Sequence, residues 1–169
     1  CRTRGCSGRL GSATDDAFQL SETDGGDVID LTNVGVYGEE HTFAKPVAPL
    51  ESGVLNENTI NLGYDHGYQA GDEVVYYPGD GDPIGGLESG QSYFVVAVDN
   101  QQIKLGQFRT DALLSDPVVV ELASDETTGT KHAFGTPVRP LPTVTSSTDT
   151  ISFDTLHGYP TEQELVYDN

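Results

Sequence analysis

The stretch "HTFAKPVAPL" at residues 41–50 returns later in the chain as "HAFGTPVRPL" at residues 132–141. The two copies are separated by a step of 91 residues (132 − 41). When residues 38–78 are placed over residues 129–169 without a gap, 15 of the 41 aligned positions are identical. Unrelated segments of this length would share roughly two or three residues at ordinary amino-acid frequencies. A fixed period of this kind indicates a tandem repeat, in which similar units follow one another along the chain.

The repeat extends upstream with weaker similarity. In the same register, "DVIDL" at 27–31 lies over "PVVVEL" at 117–122. After a gap of four residues, "TDDAF" at 14–18 matches "RTDAL" at 109–113. This alignment predicts that the repeat pattern begins near residue 14.

The period divides the chain into four segments. Residues 1–12 have no counterpart in the repeat, so we expect a leader, a linker or a cloning remnant there. Residues 13–50 are expected to form the later part of one repeat, and residues 51–141 a complete repeat. Residues 142–169 then supply a linker and the first part of a following repeat.

The pattern of apolar and turn-forming residues predicts an all-β fold. Short runs rich in Val, Ile, Tyr and Phe are typical of strands, and 20 Gly and 9 Pro separate these runs. The expected strands are 59–62, 73–77, 92–99, 103–106, 117–122 and 131–138. One helical turn is expected within "FRTDALLS" at 108–115. Strands this short, with a turn signal roughly every 8 to 12 residues, indicate tandem small β-barrel or β-sandwich units.

The charge balance narrows the range of partners. The chain has 27 acidic and 8 basic residues and a net charge of -19. So negative a surface repels nucleic acid and anionic membranes, and neither is expected as a partner. No run of 18 apolar residues occurs, so membrane insertion is not expected either.

Several short motifs of the complete unit carry a resemblance to a known kind of repeat. They are the His-Gly turn at 66–67, "GDEVVYY" at 71–77, "PIGGL" at 83–87, "GQSYFV" at 90–95 and "IKL" at 103–105. With them, the chain from about residue 14 to residue 169 resembles a repeat found many times over in very large bacterial surface and secreted proteins, the adhesin-like or haemagglutinin-like arrays.

That resemblance implies an extracellular structural or adhesive role without an assigned reaction, and other copies of the repeat as partners. The last copy departs from the pattern, because "YQAGDEVVYY" at 68–77 becomes "YPTEQELVYD" at 159–168. Glu162 replaces the counterpart of Gly71, so the same turn geometry is not expected at this position of the last copy.

Two acidic loops are the candidate calcium sites. "PGDGDP" places Asp80 and Asp82 on either side of a glycine, and "SETDGGDVID" contains Asp24 and Asp27. Calcium is bound by six to eight hard oxygen ligands, several of which a flexible acidic loop can supply. Neither loop has the closing Glu of an EF-hand or the nine-residue rhythm of a calcium β-roll, so solvated turns are the alternative. Calcium is the only cofactor that the sequence suggests.

Tyr64 and Tyr68 are the candidate contact residues. Exposed aromatic rings beside polar loops can stack on sugars or form contact surfaces, although in strands they more often close the core. The four histidines also follow the period, and their surroundings contain no catalytic pattern, so structural roles are expected for His41, His66, His132 and His157.

Three functions are compatible with these features. We favour a non-enzymatic extracellular structural or adhesive module of a long bacterial surface or matrix protein. The second is a subunit of a self-assembling extracellular filament, in which strands of 142–169 pair with the 13–50 region of a neighbour. The third is a carbohydrate-binding or hydrolytic module, for which carboxylates are plentiful but none stands in the context of an acid/base pair.

Overall fold

A computed structural model gives the architecture of the chain. It describes residues 6–14, 17–23, 26–30, 41–138, 143–153, 159 and 163–168. The chain divides into two compact units: unit 1 comprises residues 1–45 and 137–169, and unit 2 comprises residues 46–136. Unit 2 has the length of the sequence period (136 − 46 + 1 = 91), and it begins five residues before the expected complete repeat (51 − 46 = 5).

The regular elements are nearly all strands, which confirms the all-β prediction. In chain order they are β1 (Cys6–Ala13), β2 (Ala17–Ser21), β3 (His41–Ala44), β4 (Leu55–Asn56), β5 (Thr59–Asn61), β6 (Glu73–Tyr77), β7 (Ser92–Ala97), β8 (Gln102–Gly106), α1 (Arg109–Ala112), β9 (Ala133–Val138), β10 (Thr143–Thr145), β11 (Thr150–Ser152) and β12 (Glu164–Asp168). The helix α1 is the helical turn expected within 108–115. Within the described part of the chain, no helix is long and apolar enough to cross a membrane.

Unit 2 is built on an antiparallel sheet with the strand order β9-β6-β7-β8-β5-β4. Among the described residues this order is linear and does not close into a ring. The β-branched and aromatic side chains of the strands form the core, and Ile84 and Leu87 from the loop after β6 pack into it. The buried core residues are Val47, Ile60, Leu62, Val74, Tyr76, Ile84, Leu87, Tyr93, Val95, Ile103, Leu105 and Phe134.

Unit 1 takes its strands from two segments of the chain. Its strand order is β3-β12-β1-β2-β11-β10, and the described pairs are again antiparallel. Aromatic rings dominate its core, where the ring centroid of Phe18 lies 5.2 Å from those of Phe43 and Phe153. The buried core residues are Leu10, Phe18, Phe43, Ile151, Phe153 and Leu165.

The two sheets have the same strand order, with β3, β12, β1, β2, β11 and β10 taking the places of β9, β6, β7, β8, β5 and β4. In unit 2, Val75 pairs with Gly135. Unit 1 contains the same pair as Val166 with Ala44, since 75 + 91 = 166 and 135 − 91 = 44. The units differ in one connection. Residues 78–91 join β6 to β7, whereas β12 and β1 belong to different segments.

These pairings correct the upstream alignment of the sequence. Ile151 pairs with Phe18 in unit 1 as Ile60 pairs with Ile103 in unit 2. Strand β2 therefore corresponds to β8, and the alignment of 14–18 with 109–113 was wrong. Residues 6–12, which the sequence placed in a leader or linker, lie in β1 between β2 and β12.

The expected strand at 117–122 is also absent from the described strands. Its backbone N–H groups bond to different kinds of partner, because Val120 donates to the carbonyl oxygen of Leu105 at 2.7 Å and Leu122 donates to Asn58 Oδ1 at 3.0 Å. The segment has the composition of a strand, but in the described part of the chain only the Val120 bond given above joins it to β8, and no continuous ladder of backbone hydrogen bonds forms.

Candidate functional site

His66 and Tyr68 organise the loop that joins β5 to β6. The Nδ1 atom of His66 accepts a hydrogen bond from the backbone N–H of Tyr68 (2.9 Å). Its Nε2 atom lies 2.9 Å from the carbonyl oxygen of Asp99, and a carbonyl only accepts, so the proton of the neutral ring is on Nε2. The His66 and Tyr68 rings stack with centroids 5.1 Å apart and an interplanar angle of 20°. The histidine thus satisfies backbone groups, as its place beside a turn glycine suggested.

The hydroxyl of Tyr68 fastens this loop to β9. It donates to the carbonyl oxygen of Phe134 at 2.8 Å. Burial raises the pKa of Tyr68 to about 12, although a hydrogen bond with the Thr136 side chain lowers it, and the charge of Asp72 adds to the increase. The phenol therefore keeps its proton at neutral pH and acts as a structural donor.

Unit 1 contains the same tyrosine bond. The hydroxyl of Tyr159 donates to the carbonyl oxygen of Phe43 at 2.7 Å. Both partners follow from the period, since 68 + 91 = 159 and 134 − 91 = 43. The other candidate tyrosine, Tyr64, is half-buried and packs against the core of unit 2.

A shallow groove lies beside the stacked rings. It has a volume of about 470 Å³ and is lined by two loops, residues 65–68 and 97–100. His66 and Tyr68 supply aromatic surface, while Asp65 and Asn100 supply polar groups. Aromatic surface beside hydrogen-bonding groups suits a polar ligand such as a sugar. The groove includes Tyr68, and Tyr64 is not among its lining residues.

The acidic side chains at this groove also hold its loops in place. Asp99 Oδ1 accepts from the backbone N–H groups of Gln101 and Gln102, each at 2.8 Å. Asp99 Oδ2 accepts from Gln102 Nε2 at 2.8 Å, and Asp65 Oδ1 lies 3.4 Å from Gln101 Nε2. The groove is therefore preformed by hydrogen bonds within the chain.

Asp80 and Asp82 tie the loop after β6 to the loop before β9. Asp80 Oδ1 accepts from the backbone N–H groups of Thr130 (2.8 Å) and Lys131 (3.0 Å). Asp82 Oδ2 accepts from the hydroxyl of Thr128 at 2.9 Å, and that hydroxyl oxygen accepts from the Asp82 backbone N–H at 2.9 Å. Both carboxylates thus have structural partners in one neighbouring loop.

The pKa of Asp80 reflects these bonds. Burial raises the pKa, but the N–H groups of Thr130, Lys131 and Asp80 itself stabilise the carboxylate, and the net effect is a lowered pKa. Close approach of the loops requires glycine between the two aspartates, because a Cβ on Gly81 would lie 1.9 Å from the carbonyl oxygen of Thr128.

At neither predicted calcium loop do the residues that the structure describes form a cluster of metal ligands. Asp27 is exposed in unit 1, and Asp24 lies outside the described residues. No group of three or more His, Cys, Asp or Glu side chains in the described part of the chain is placed to hold a metal ion. Calcium binding stays a prediction.

Unit 2 contains a buried series of linked hydrogen bonds that the sequence did not predict. The backbone N–H of Ile84 donates to the Tyr76 hydroxyl oxygen at 2.8 Å, and that hydroxyl lies 2.7 Å from His132 Nδ1. His132 Nε2 lies 2.7 Å from the carbonyl oxygen of Thr128. Because a carbonyl only accepts, His132 carries its proton on Nε2 and accepts from Tyr76 through Nδ1. The side chains of Tyr76 and His132 are fully buried.

Burial keeps both members of this pair neutral. It lowers the pKa of His132, against the opposing effects of the Thr128 carbonyl and the charge of Asp80. Burial also raises the pKa of Tyr76, which the hydrogen bond from Ile84 partly offsets. The period does give a signal for this pair, because the sequence repeats it as His41 and Tyr167, whose side chains lie outside those described.

The polar side chains described above mainly bind one loop to another or to the sheet, and the groove beside Tyr68 offers aromatic and polar groups to a ligand. Comparisons with protein-family models, with curated proteins and with solved structures gave no significant match.

Proposed function

We propose that the chain is a non-enzymatic structural and adhesive module of a long bacterial surface or matrix protein, located outside the cell. The observation that carries this proposal is the correspondence of the two sheets, in which Val75–Gly135 and Val166–Ala44 are the same pair one period apart. Units that recur in this way are typical of arrays, which act through the number and spacing of their units.

The use of the polar side chains supports a structural role. Tyr68 and Asp80 each hydrogen-bond to backbone atoms of another loop or strand, and His132 bonds to the backbone of its own loop and to the Tyr76 hydroxyl of β6. Bonds of this kind fix the loops on the sheet, and buried networks that are fully paired make a fold rigid. A rigid unit is what a spacer between a cell surface and its target needs.

The charge supports an array of such units. With a net charge of -19, neighbouring copies repel one another at long range and remain soluble. The partners we propose are other copies of the repeat, within one chain or between chains.

Antibody labelling of intact cells tests the proposed location and role. Antibodies raised against the purified chain should label unpermeabilised bacteria that carry the gene, and protease treatment of those cells should remove the signal. A cytoplasmic protein of known abundance is the control for cell integrity. Labelling that requires permeabilisation would contradict the proposal.

A self-assembling filament is the alternative architecture, and the observation that favours it is the origin of unit 1 in two segments of the chain. Strands supplied by one copy to another would then join the subunits.

A carbohydrate-binding module is the second alternative, and the groove at residues 65–68 and 97–100 favours it. A glycan array probed with the native chain tests this function. Binding should weaken in Asp65→Asn, at the groove, and persist in Asp125→Asn, which removes an exposed carboxylate elsewhere in unit 2. An array that retains no native chain would reject a glycan function for this groove.

A further inference from the structure

We propose that residues 143–168 of one copy complete unit 1 of a second copy, so that chains join by exchange of this segment. The inference rests on the proposed role as a repeat module and deepens it, because it names the partner and the surface. The partner is a second copy of this chain, and the surface is the sheet formed by β1, β2 and β3.

The sheet of unit 1 is incomplete without this segment. Strand β12 lies between β3 and β1 and pairs with both: Val166 with Ala44 on one side, and Leu165 with Gly8 on the other. Removing β12 would leave two rows of backbone hydrogen-bonding groups without their strand partner in the middle of the sheet.

The core of unit 1 is incomplete as well. The six residues of its buried hydrophobic cluster are divided equally, with Leu10, Phe18 and Phe43 in the first segment and Ile151, Phe153 and Leu165 in the second. The Phe153 ring lies 5.2 Å from Phe18 and 5.6 Å from Phe43, centroid to centroid. The aromatic residues of each segment are therefore buried in part against those of the other segment.

In unit 2 a covalent link joins the strands that correspond to β12 and β1. Residues 78–91 connect β6 to β7, the counterparts of β12 and β1. Inside unit 1 no peptide bond joins residues 6–44 to residues 143–168, and the chain connects them only through unit 2. The contacts within unit 1 are therefore the same whether the two segments belong to one copy or to two.

Exchange of this kind is head to tail. The surface that receives the segment and the segment that is donated are different parts of each copy, so the contact produces a ring or an open filament. Pairing within one copy dominates when chains are dilute, because unit 2 holds the two segments at a high effective concentration. Refolding at high chain concentration shifts the balance towards exchange.

Disulfide trapping in the full chain tests the inference. Ser152 pairs with Ala17 across β11 and β2, and directly opposed residues in an antiparallel pair lie close enough for a disulfide. The variant carries Ala17→Cys and Ser152→Cys, with Cys1→Ser and Cys6→Ser to remove the natural thiols. Normal and isotope-heavy copies are mixed, unfolded, refolded together at a series of concentrations and oxidised.

The readout is the share of disulfide-linked peptide pairs in which one peptide is normal and the other heavy. This share should rise about tenfold for a tenfold increase in chain concentration while exchange is still minor. The matched control is Asn61→Cys with Gln102→Cys, the corresponding pair in unit 2, with the same Cys→Ser changes. Because unit 2 is continuous, its linked peptides should always carry the same label.

The unaltered chain is refolded at the same series of concentrations, and its mass is measured by light scattering. This measurement controls for effects of the cysteine substitutions themselves. A mass that grows with refolding concentration is expected. Mixed labels that never exceed the unit 2 control, together with a monomer at every concentration, would overturn the inference. That result would leave surface labelling of intact cells unaffected, so failure of the exchange and failure of the proposed function are distinguishable.

Discussion

Tyr68 donates its hydroxyl proton to the carbonyl oxygen of Phe134 across 2.8 Å and thereby fastens the loop before β6 to β9. Tyr159 makes the equivalent bond to Phe43 at 2.7 Å in unit 1. The two donors are one period apart, and so are the two acceptors, which marks this bond as a contact that the fold itself requires.

Substitution of either tyrosine by phenylalanine should destabilise the unit to which it belongs. Tyr68→Phe leaves the Phe134 carbonyl without this donor, so we expect a loss of about 1 kcal/mol in the free energy of unfolding. Tyr159→Phe should cost a similar amount. Hydrogen exchange resolves the two units, and protection should fall in 46–136 for the first variant and in unit 1 for the second. Unchanged protection in both variants would show that these bonds contribute nothing to stability.

Gly71 supports the turn before β6 through its backbone conformation. Its φ is 85°, and a Cβ there would lie 3.0 Å from Leu113 Cδ2. Gly71→Val places a β-branched side chain in the left-handed region, so we expect a cost of about 1–3 kcal/mol in chemical denaturation. Ala70→Val is the size control at a neighbouring exposed position and should change stability by less than about 0.5 kcal/mol. Equal effects of the two substitutions would contradict this explanation.

The buried His132 makes stability depend on pH. Its folded pKa lies below the ordinary value of 6.5, so its contribution is complete above pH 6.5. Below that pH the unfolded chain takes up a proton that the folded chain does not. Stability then falls by at most about 1.4 kcal/mol per pH unit until the pH reaches the folded pKa.

Denaturation curves between pH 8 and pH 5, a range of about three units around the ordinary histidine value, measure this effect. His132→Gln has no titrating ring at this position and should show a shallower pH dependence in this window, even if it starts from a lower stability. Asp80 titrates outside this window, because its lowered pKa gives stability that is lost only as the pH falls below its ordinary value of 3.8. If the free energy of unfolding changed with pH equally in the wild type and in His132→Gln, the assignment of this pH dependence to His132 would be contradicted.

The calcium prediction can be tested at the loop that contains Asp80 and Asp82. If this loop binds calcium in the folded state, a calcium concentration about ten times the Kd should stabilise the chain by about 1.4 kcal/mol. The double variant Asp80→Asn/Asp82→Asn should abolish that stabilisation, whereas Asp125→Asn should retain it. No change in the wild-type melting temperature with calcium would reject the prediction for this site.

The features predictable from sequence are those with a local signal. Strand β6 coincides with "EVVYY" at 73–77, because β-branched and aromatic residues between turn signals need no distant information. Likewise, the positive φ of Gly71 agrees with its place at the end of "YQAG". The length of unit 2 equals the period, and the period also marks Tyr68 and Tyr159 as equivalent residues.

The features that the sequence did not predict depend on long-range pairing. Gly8 and Leu165 pair across 157 positions (165 − 8), and "CSGRLGSA" contains too few strand-forming residues to predict β1. In the same way, the Tyr76–His132 hydrogen bond joins residues 56 positions apart. At 117–122 a strand was predicted that is not among the described strands. The composition of this segment is typical of a strand, but the backbone N–H of Leu122 bonds to the Asn58 side chain instead of to a neighbouring strand.

The most direct test of the central claim is a set of cross-strand nuclear Overhauser effects between backbone protons of the full chain in dilute solution. The pairs to examine are Val166 with Ala44 and Leu165 with Gly8 in unit 1, and Val75 with Gly135 in unit 2. If residues 6–44 and 143–168 together form a sheet with the same strand order as the sheet of residues 46–136, all three contacts should be observed. If the unit 2 contact appears and both unit 1 contacts are missing, the claim that two separate segments rebuild the repeat is contradicted.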